Sequence, residues 1–296
     1  MASLFSEPIV CPLLVGREDA QSTLRRLLAG VAERGRVVLV SGEAGIGKSR
    51  LLADFSDEAR RAGHLVLGAD FFEQEERVPY AAIGRLLGGL AAEVDTPEAR
   101  ILESLAHDLI PVAPRLSSLA ISSRERVPQT SDFDQDGQQI SDALISLVRA
   151  LAEGRTMLMV FEDLHWADSS SLCALLRIGR DAPLGCLLVL SYRDDETTSQ
   201  LQSFLATLDR ERLGAELHLG RLGLGDVDRM LTAIHGSEKR VRADVLHMVY
   251  QLTDGNPFFV EELVRSLVDH AGSVEALSAG RLAQVDIPRG VNEALR

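Results

Sequence analysis

A glycine-rich loop near the start of the chain carries the residue types that bind phosphate. It fits the pattern G-x-x-x-x-G-K-[ST] in full, and its residues are Gly42, Glu43, Ala44, Gly45, Ile46, Gly47, Lys48 and Ser49. Glycines let the backbone curl so that successive N–H groups point inward, where they and the positive end of the following helix hold phosphate oxygens. The loop, together with Arg50 directly after it, is therefore predicted to bind a nucleoside triphosphate.

Two side chains of this loop have specific expected roles. The Lys48 ammonium is expected to reach the β- and γ-phosphates, and the Ser49 hydroxyl is expected to be a ligand of Mg2+. The flanking residues agree, since the apolar run 37–40 precedes the loop and a helical pattern follows it. The phosphate-binding motif requires a strand, a loop and a helix in this order.

Two adjacent carboxylates, Glu162 and Asp163, follow the apolar run 157–161 and supply the acidic groups that hydrolysis needs. One carboxylate must hold Mg2+ and another must orient the attacking water. We expect Glu162 near the Mg2+, through a water molecule, and Asp163 in the water-orienting position. The reverse assignment, with Asp163 on the metal, stays open because Glu is longer than the Asp normally found next to the metal.

Arg193 follows a further apolar run, residues 186–191, and is a candidate sensor of the terminal phosphate. A guanidinium at this end of a strand can contact the γ-phosphate or the carboxylates through two parallel hydrogen bonds. An ion pair with Asp194 or Asp195 explains the same residue nearly as well from spacing alone. Both interpretations stay open at this point.

Strand-like apolar runs that alternate with helical segments must position these groups. The runs are nearly continuous in apolar residues, which is typical of strands buried on both faces of a parallel sheet. We therefore predict an α/β fold with helices on both faces of the sheet. The predicted strands are residues 37–40, 64–69, 157–161, 186–191 and 216–219.

The helical segments define the expected domains. A mostly helical stretch covers residues 79–154, and its polar part, residues 122–132, is expected to be a mobile loop. From Leu222 onward only helical patterns follow, so we predict an ATPase core over 1–221 and a helical lid over 222–285. Residues 286–296 are predicted to begin a further domain. The predicted lid helices are residues 226–235, 241–252, 257–271 and, weakly, 274–282.

Composition limits the partners. A formal net charge of −13 repels the phosphate backbone of nucleic acids, so this segment alone is not expected to bind DNA. No apolar run approaches the ~20 residues of a membrane-spanning helix, and the first residues lack the pattern of an export signal. The sequence therefore predicts a cytoplasmic protein with no membrane contact.

The ordered set of motifs resembles the nucleotide-binding segment of STAND-class P-loop ATPases, and in particular that of large ATP-binding regulators of the LuxR family. The motifs are LVGRE at 14–18, GEAGIGKS at 42–49, VFEDLHWAD at 160–168, SYRDDE at 191–196 and GNPFFVEEL at 255–263. The resemblance implies an AAA-like core with a helical lid. It also implies that Val15 and Gly16 border the adenine, that Arg193 senses the γ-phosphate, and that Pro257 closes over the base.

The resemblance further implies a switch. In that family ADP holds a closed monomer, whereas ATP and an inducer favour an open, self-associating form that activates transcription through a DNA-binding domain absent from this chain. Hydrolysis would be slow and act as a timer, although Glu162 departs from the commoner Asp. Two other functions stay open: a self-sufficient oligomeric ATPase, and the ATPase module of a cyclase- or kinase-linked signalling protein.

Overall fold

The computed structural model of the chain describes residues 10–93, 96–117, 133–235 and 241–271. The predictions for residues 122–132, 274–282 and 286–296 lie outside these ranges. The chain divides into two compact units. One comprises Met1–Ser22, Glu43–Asp54 and Leu219–Arg296, and the other comprises Thr23–Gly42 and Phe55–His218. The predicted domain boundary at residue 222 stays a prediction.

A five-stranded parallel sheet forms the centre of the second unit, in the order β2-β3-β4-β1-β5. Its strands are β1 (Arg36–Ser41), β2 (Leu65–Asp70), β3 (Met157–Glu162), β4 (Cys186–Tyr192) and β5 (Gly214–His218). The α/β fold class with a parallel sheet is therefore confirmed. All the strands pair in parallel, so their carboxyl ends share one edge.

The last strand begins earlier than the sequence pattern predicts. The apolar pattern starts the strand at Glu216, whereas in the structure Gly214 and Ala215 already pair with Val37 and Val38 of β1. β5 lies at the edge of the sheet and is largely exposed. An edge strand needs no continuous apolar run, because pairing with its neighbour decides where it begins.

Helices cover both faces of the sheet. Alternate residues of the central strands, such as Leu188 and Leu190 of β4, join one large core cluster, and their neighbours Leu187 and Val189 are equally buried. This double burial explains why the strands read as continuous apolar runs. The helices up to the last strand are α1 (Glu18–Ala29), α2 (Lys48–Arg61), α3 (Ala81–Ala92), α4 (Pro97–Leu109), α5 (Phe133–Ala152), α6 (Ser169–Arg180) and α7 (Ser199–Arg210).

In the described part of the chain after the sheet, three helices share a core of their own. They are α8 (Leu224–His235), α9 (Ala243–Thr253) and α10 (Pro257–Ala271), close to the predicted positions. Their buried side chains form a second cluster, which also includes Cys11 from the start of the chain. Among the residues that the structure describes, no helix is long and apolar enough to span a membrane.

Replacing either of two glycines in α3 by alanine is expected to change the stability of the protein in opposite directions. A Cβ on Gly84 would lie 2.5 Å from the Val112 carbonyl oxygen, whereas a Cβ on Gly89 would meet no atom within 4 Å. We expect Gly89→Ala to raise the free energy of unfolding by about 0.5–1 kcal/mol, because alanine favours the helix. Gly84→Ala should lower it by roughly 1–3 kcal/mol through overpacking. Urea unfolding of both variants measures the difference, and equal stabilisation would contradict this packing of α3.

Candidate nucleotide-binding site

The phosphate loop, residues 42–49, has the backbone that its glycines predict. Gly42, Gly45 and Gly47 all have positive φ angles, of 151°, 72° and 97°. Gly47 has open space where a Cβ would stand, so its requirement for glycine comes from the backbone alone. Gly45 has a second requirement, because a Cβ there would lie 2.7 Å from the Cβ of Phe258.

Lys48 and Ser49 are the last two residues of the phosphate loop and the first two residues of α2. Lys48 is buried, and its Nζ donates a hydrogen bond to the Glu43 carbonyl at 2.9 Å, which holds the ammonium within the curl of the loop. Ser49 is exposed. The motif thus places a cation and an accessible hydroxyl next to the N-terminus of a long helix, where anions are stabilised.

Arg17 supports the loop from the outside, a role that the sequence analysis did not assign. Its guanidinium is buried and donates to the carbonyls of Ile46 and Gly220, each at 2.8 Å. Burial lowers the pKa of Arg17, and the nearby carboxylates of Asp226 and Glu18 oppose that shift. The signal in the sequence was an arginine directly after the predicted adenine-bordering residues, but spacing could not show which carbonyls it binds.

Asn256 is a second residue whose role the sequence analysis missed. It lies in the turn before α10 and is 1% exposed. Its Nδ2 donates to the carbonyl of Ala44 at 3.0 Å, while its Oδ1 accepts from the backbone N–H of Phe258 at 3.1 Å. The same N–H lies 3.3 Å from the Gly45 carbonyl. Pro257, the predicted base-covering residue, begins α10 directly beside these contacts, and its role stays a prediction.

An ion-pair network adds to this connection. Arg221 donates to the carboxylate of Glu43 in the loop, with its Nη2 2.7 Å from Oε2, and also pairs with Asp254 in the turn before α10. These side chains are 38% to 63% exposed, so each pair contributes at most about 1 kcal/mol. Leaving the buried amide of Asn256 without its partners would cost roughly 1–3 kcal/mol per group. Asn256 is therefore the stronger connection.

The segment that precedes α1 is held by two contacts. Arg50 donates to the Cys11 carbonyl at 2.7 Å, and the Cys11 N–H donates to the carboxylate of Glu261 at 2.8 Å. Burial raises the pKa of Glu261, which the hydrogen bond from Cys11 partly offsets. Val15 packs at the edge of the second core cluster, and Gly16 has a φ of 68°. Arg50 thus binds the segment that carries the two predicted adenine contacts.

The two predicted acidic residues lie where β3 ends. Glu162 is its last residue and is half-buried. Asp163 has left-handed backbone angles, with φ 59° and ψ 45°, and its N–H lies 3.4 Å from the hydroxyl of Ser191 on the neighbouring strand. Among non-glycine residues, Asp and Asn tolerate this conformation best. The backbone therefore leaves the extended strand conformation directly after Glu162.

Arg193 follows the end of β4, which is adjacent to β3. Its Nη1 donates to Glu196 at 2.8 Å, so its intramolecular partner is Glu196 and neither of the two aspartates considered from spacing. Asp194 instead lies 3.4 Å from His218 Nδ1. With 32% of its side chain exposed, Arg193 is accessible from solvent.

His165 stands between these groups and was not predicted. Its side chain is 1% exposed, with Nδ1 3.9 Å from Asp163 Oδ1 and Nε2 3.9 Å from Glu196 Oε2. The later Asp168 of the same motif accepts from the Ser171 N–H at 2.9 Å and thereby caps α6. The sequence motif thus combines residues at the sheet edge with a helix cap, and spacing alone does not separate the two roles.

The predicted site residues fall into two groups, one in each unit. Residues 43–50, Val15, Gly16 and Pro257 belong to the unit that contains α8–α10. Gly42, Glu162, Asp163 and Arg193 belong to the unit that contains the sheet. Within the second group, the parallel register places Asp163 and Arg193 directly after the ends of neighbouring strands.

Comparison with known proteins identifies the phosphate loop and the sheet as parts of one domain family. The AAA ATPase domain family matches residues 13–190. The chain is 25% identical to an uncharacterized protein of Rhizobium meliloti, over 95% of this chain and 29% of that protein. It is 21% identical to the peroxide stress-activated histidine kinase mak2 of Schizosaccharomyces pombe, over 77% of this chain and 11% of the kinase. The chain therefore spans less than a third of these curated relatives.

Solved structures share the fold. The ORC2 protein of Aeropyrum pernix, in ADPNP and ADP complexes, has a TM-score of 0.52 at 16% identity, over 94% of this chain and 69% of that chain. Cdc6p of Pyrobaculum aerophilum has a TM-score of 0.50 at 13% identity, over 92% and 66%. The predicted AAA-like P-loop fold, with additional helices after the core, is confirmed.

Lys48 gives the first test of the phosphate loop. We expect Lys48→Ala to weaken ADP binding by about 10- to 150-fold, since hydrogen bonds from a charged group contribute roughly 1.5–3 kcal/mol. Arg60→Ala removes a cation from the far end of the same helix, where it pairs with exposed Asp57, and should bind ADP like the wild type. Calorimetric titration measures both affinities. Unchanged binding by Lys48→Ala would contradict the assignment.

Proposed function

Because the chain belongs to the AAA ATPase domain family, we propose that it binds ATP with Mg2+ and hydrolyses it slowly, as a switch that controls the self-association of a transcriptional regulator. One observation carries the switch proposal. Residues 43–49 of the phosphate loop and the helices α8–α10 lie in a single compact unit, where a hydrogen bond joins the Ala44 carbonyl to Asn256 in the turn before α10. A loop that would bind phosphate is thus joined directly to the helices α8–α10, through which the proposed switch would act.

The phosphate loop provides the binding half of the proposed site. Its inward N–H groups and the N-terminus of α2 would hold the phosphate oxygens, and Lys48 would exchange its hydrogen bond with the Glu43 carbonyl for one with a phosphate. Val15, Gly16 and Pro257 would surround the adenine. Arg50 would act indirectly, through its hydrogen bond to the segment that carries Val15.

Mg2+ would be held by the Ser49 hydroxyl and by one of the two carboxylates after β3. The donors fit this ion, because hydroxyl and carboxylate oxygens are hard ligands, and Ser49 and the Asp163 carboxylate are both accessible. Bound Mg2+ would neutralise charge that develops on the phosphate oxygens. Glu162 remains our choice for the metal side, through a water molecule, and Asp163 for the other role.

Asp163 would orient the attacking water as a hydrogen-bond acceptor. Asp163 lies directly after β3, at the carboxyl edge of the sheet, where ligands bind in open α/β folds. Arg193 would leave Glu196 and bind the γ-phosphate instead, so its ion pair with Glu196 would be broken only when the terminal phosphate is present. An exposed pair of this kind is weak enough to be exchanged.

The switch follows from differential affinity. A γ-phosphate can shift an equilibrium between two conformations only by as much as it binds one of them more tightly. Slow cleavage would then set how long the ATP-bound conformation lasts. The acidic surface of the chain fits a protein–protein output better than direct contact with DNA, which would need a domain outside this chain.

A second function is favoured by one comparison. The similarity to a histidine kinase over 77% of this chain suggests that the same module can serve a kinase-linked signalling protein. A self-sufficient oligomeric ATPase is the remaining alternative. Rapid turnover would favour that enzyme, whereas turnover below about one per minute, against an enzyme median of ~10 per second, would favour a switch in either setting.

Asp163→Asn tests the catalytic assignment. Asparagine tolerates the left-handed backbone as aspartate does, so the turn should persist while the carboxylate is lost. We expect ATP to bind within about twofold of the wild type and phosphate release to fall at least about 100-fold. Asp195→Asn, on an exposed neighbouring loop, is the matched control. Phosphate release at the wild-type rate would exclude Asp163 from the reaction.

Self-association tests the switch. We expect a non-hydrolysable ATP analogue with Mg2+ to increase the mass of the protein in light scattering, and ADP to leave it monomeric, because only the former supplies a γ-phosphate. Lys48→Ala should stay monomeric with either nucleotide. Equal masses with the analogue and with ADP, in protein shown to bind both, would contradict the switch.

A further inference from the structure

One buried amide links the phosphate loop to the first turn of α10. Asn256 precedes Pro257, the first residue of the helix, and its backbone carbonyl accepts from Val260 at 3.0 Å. Its Oδ1 accepts from the Phe258 N–H at 3.1 Å, so it is the N-cap of α10. Capping alone would be satisfied equally well by Ser, Thr or Asp.

The NH2 group of the Asn256 amide makes a second contact that Ser, Thr or Asp would not make at this position. Nδ2 donates to the Ala44 carbonyl at 3.0 Å, across 212 residues of sequence. The orientation of the amide is fixed by its partners, since the Phe258 N–H can only donate and the Ala44 carbonyl can only accept. An asparagine thus supplies both the acceptor for the cap and the donor for the loop.

The hydrogen bond to Ala44 also sets the direction of a different group. The peptide between Ala44 and Gly45 is trans, so its carbonyl and its N–H point in opposite directions within one plane. Holding the Ala44 carbonyl toward Asn256 therefore turns the Gly45 N–H to the other side of the loop. Backbone N–H groups of this loop are the ones that hold phosphate oxygens.

The packing beside Asn256 limits alternative positions of this peptide. A Cβ on Gly45 would lie 3.1 Å from Asn256 Oδ1 and 2.7 Å from the Cβ of Phe258, so the loop lies directly against the start of α10. The Phe258 N–H is shared between Asn256 Oδ1 and the Gly45 carbonyl, at 3.1 and 3.3 Å. The loop and the helix start therefore cannot rotate independently without breaking the hydrogen bonds of the buried Asn256 side chain.

We propose that Asn256 is a positioning residue for phosphate binding: its amide holds the Ala44 carbonyl, thereby directs the Gly45 N–H, and joins this arrangement to the cap of α10. The inference rests on the proposed binding of a nucleotide and adds a residue to it. It makes the shape of the phosphate loop and the formation of the first turn of α10 mutually dependent.

Two substitutions separate the cap from the loop contact. Asn256→Ser keeps a capping oxygen but is too short to reach Ala44, and Asn256→Asp keeps the acceptor but replaces the donor by a carboxylate oxygen. Thr96→Ala is the control, because it removes the cap of α4, where Thr96 accepts from Ala99 at 3.1 Å. That control loses stability without touching the phosphate loop.

The probes are ADP and inorganic pyrophosphate, which has no base, each titrated into nucleotide-stripped protein. We expect Asn256→Ser and Asn256→Asp to weaken the binding of both probes about tenfold, which corresponds to ~1.4 kcal/mol. Thermal midpoints of the unliganded variants should fall by no more than about 12 °C, because the helix remains capped while the Ala44 carbonyl loses its donor. Thr96→Ala should bind both probes normally.

Specific results would overturn the proposal. Wild-type affinity for pyrophosphate in the folded serine variant would show that Asn256 does not position the phosphate loop. Weaker binding of ADP with unchanged binding of pyrophosphate would show that Asn256 acts on the base, which would also overturn the proposal. A wild type that binds neither probe would instead refute the proposed function itself, which keeps the two failures distinct.

Hydrogen exchange on the wild type answers the question without any variant. We expect ADP to increase protection of the Gly45 amide and of the first-turn amides of α10 together, because the same side chain joins them. Protection confined to the phosphate loop, with α10 unchanged, would contradict the mutual dependence.

Discussion

A loop that turns its N–H groups toward phosphate must turn carbonyls the other way, because each peptide is planar and trans. Those carbonyls also need partners. In this chain the carbonyls of residues 44–46 are held by Arg17, Asn256 and the backbone of Phe258, all from outside the loop. The outer side of the phosphate loop therefore contacts both Arg17, directly before α1, and the turn before α10.

The three central strands of the sheet could be predicted closely because they are buried on both faces. Continuous apolar runs identified β1 to β4 within a residue or two, and the helices after Leu222 followed from their periodicity. β5 was displaced because an exposed edge strand carries little apolar signal, and pairing with Val37 and Val38 fixes its start. The other edge strand, β2, is partly exposed and was still predicted within one residue, because its sequence retains an apolar run.

Some site residues could be predicted because they lie close together in the sequence, and others could not because their partners are distant in the sequence. The phosphate loop was predictable because its residues act within eight consecutive positions. The roles of Asn256 and Arg17 could not be predicted, because each binds a carbonyl more than 200 residues away in the sequence. Asn256 binds that of Ala44, and Arg17 binds that of Gly220. For Asn256 a sufficient local explanation, a helix cap, also concealed the second contact. The position of His165 was not predicted because it lies between Asp163, which follows β3, and Glu196, which follows the neighbouring β4. The sequence does not show that these two strand ends are adjacent.

The connection between the loop and the α8–α10 module has two components that respond differently to the medium. Arg221 and its partners Glu43 and Asp254 lie at the surface, where dissolved ions within a Debye length of about 8 Å screen their attraction at physiological ionic strength. The amide of Asn256 is enclosed and carries no net charge, so ions leave it unaffected. Salt concentration therefore adjusts how firmly the module is attached while the alignment of the loop stays the same.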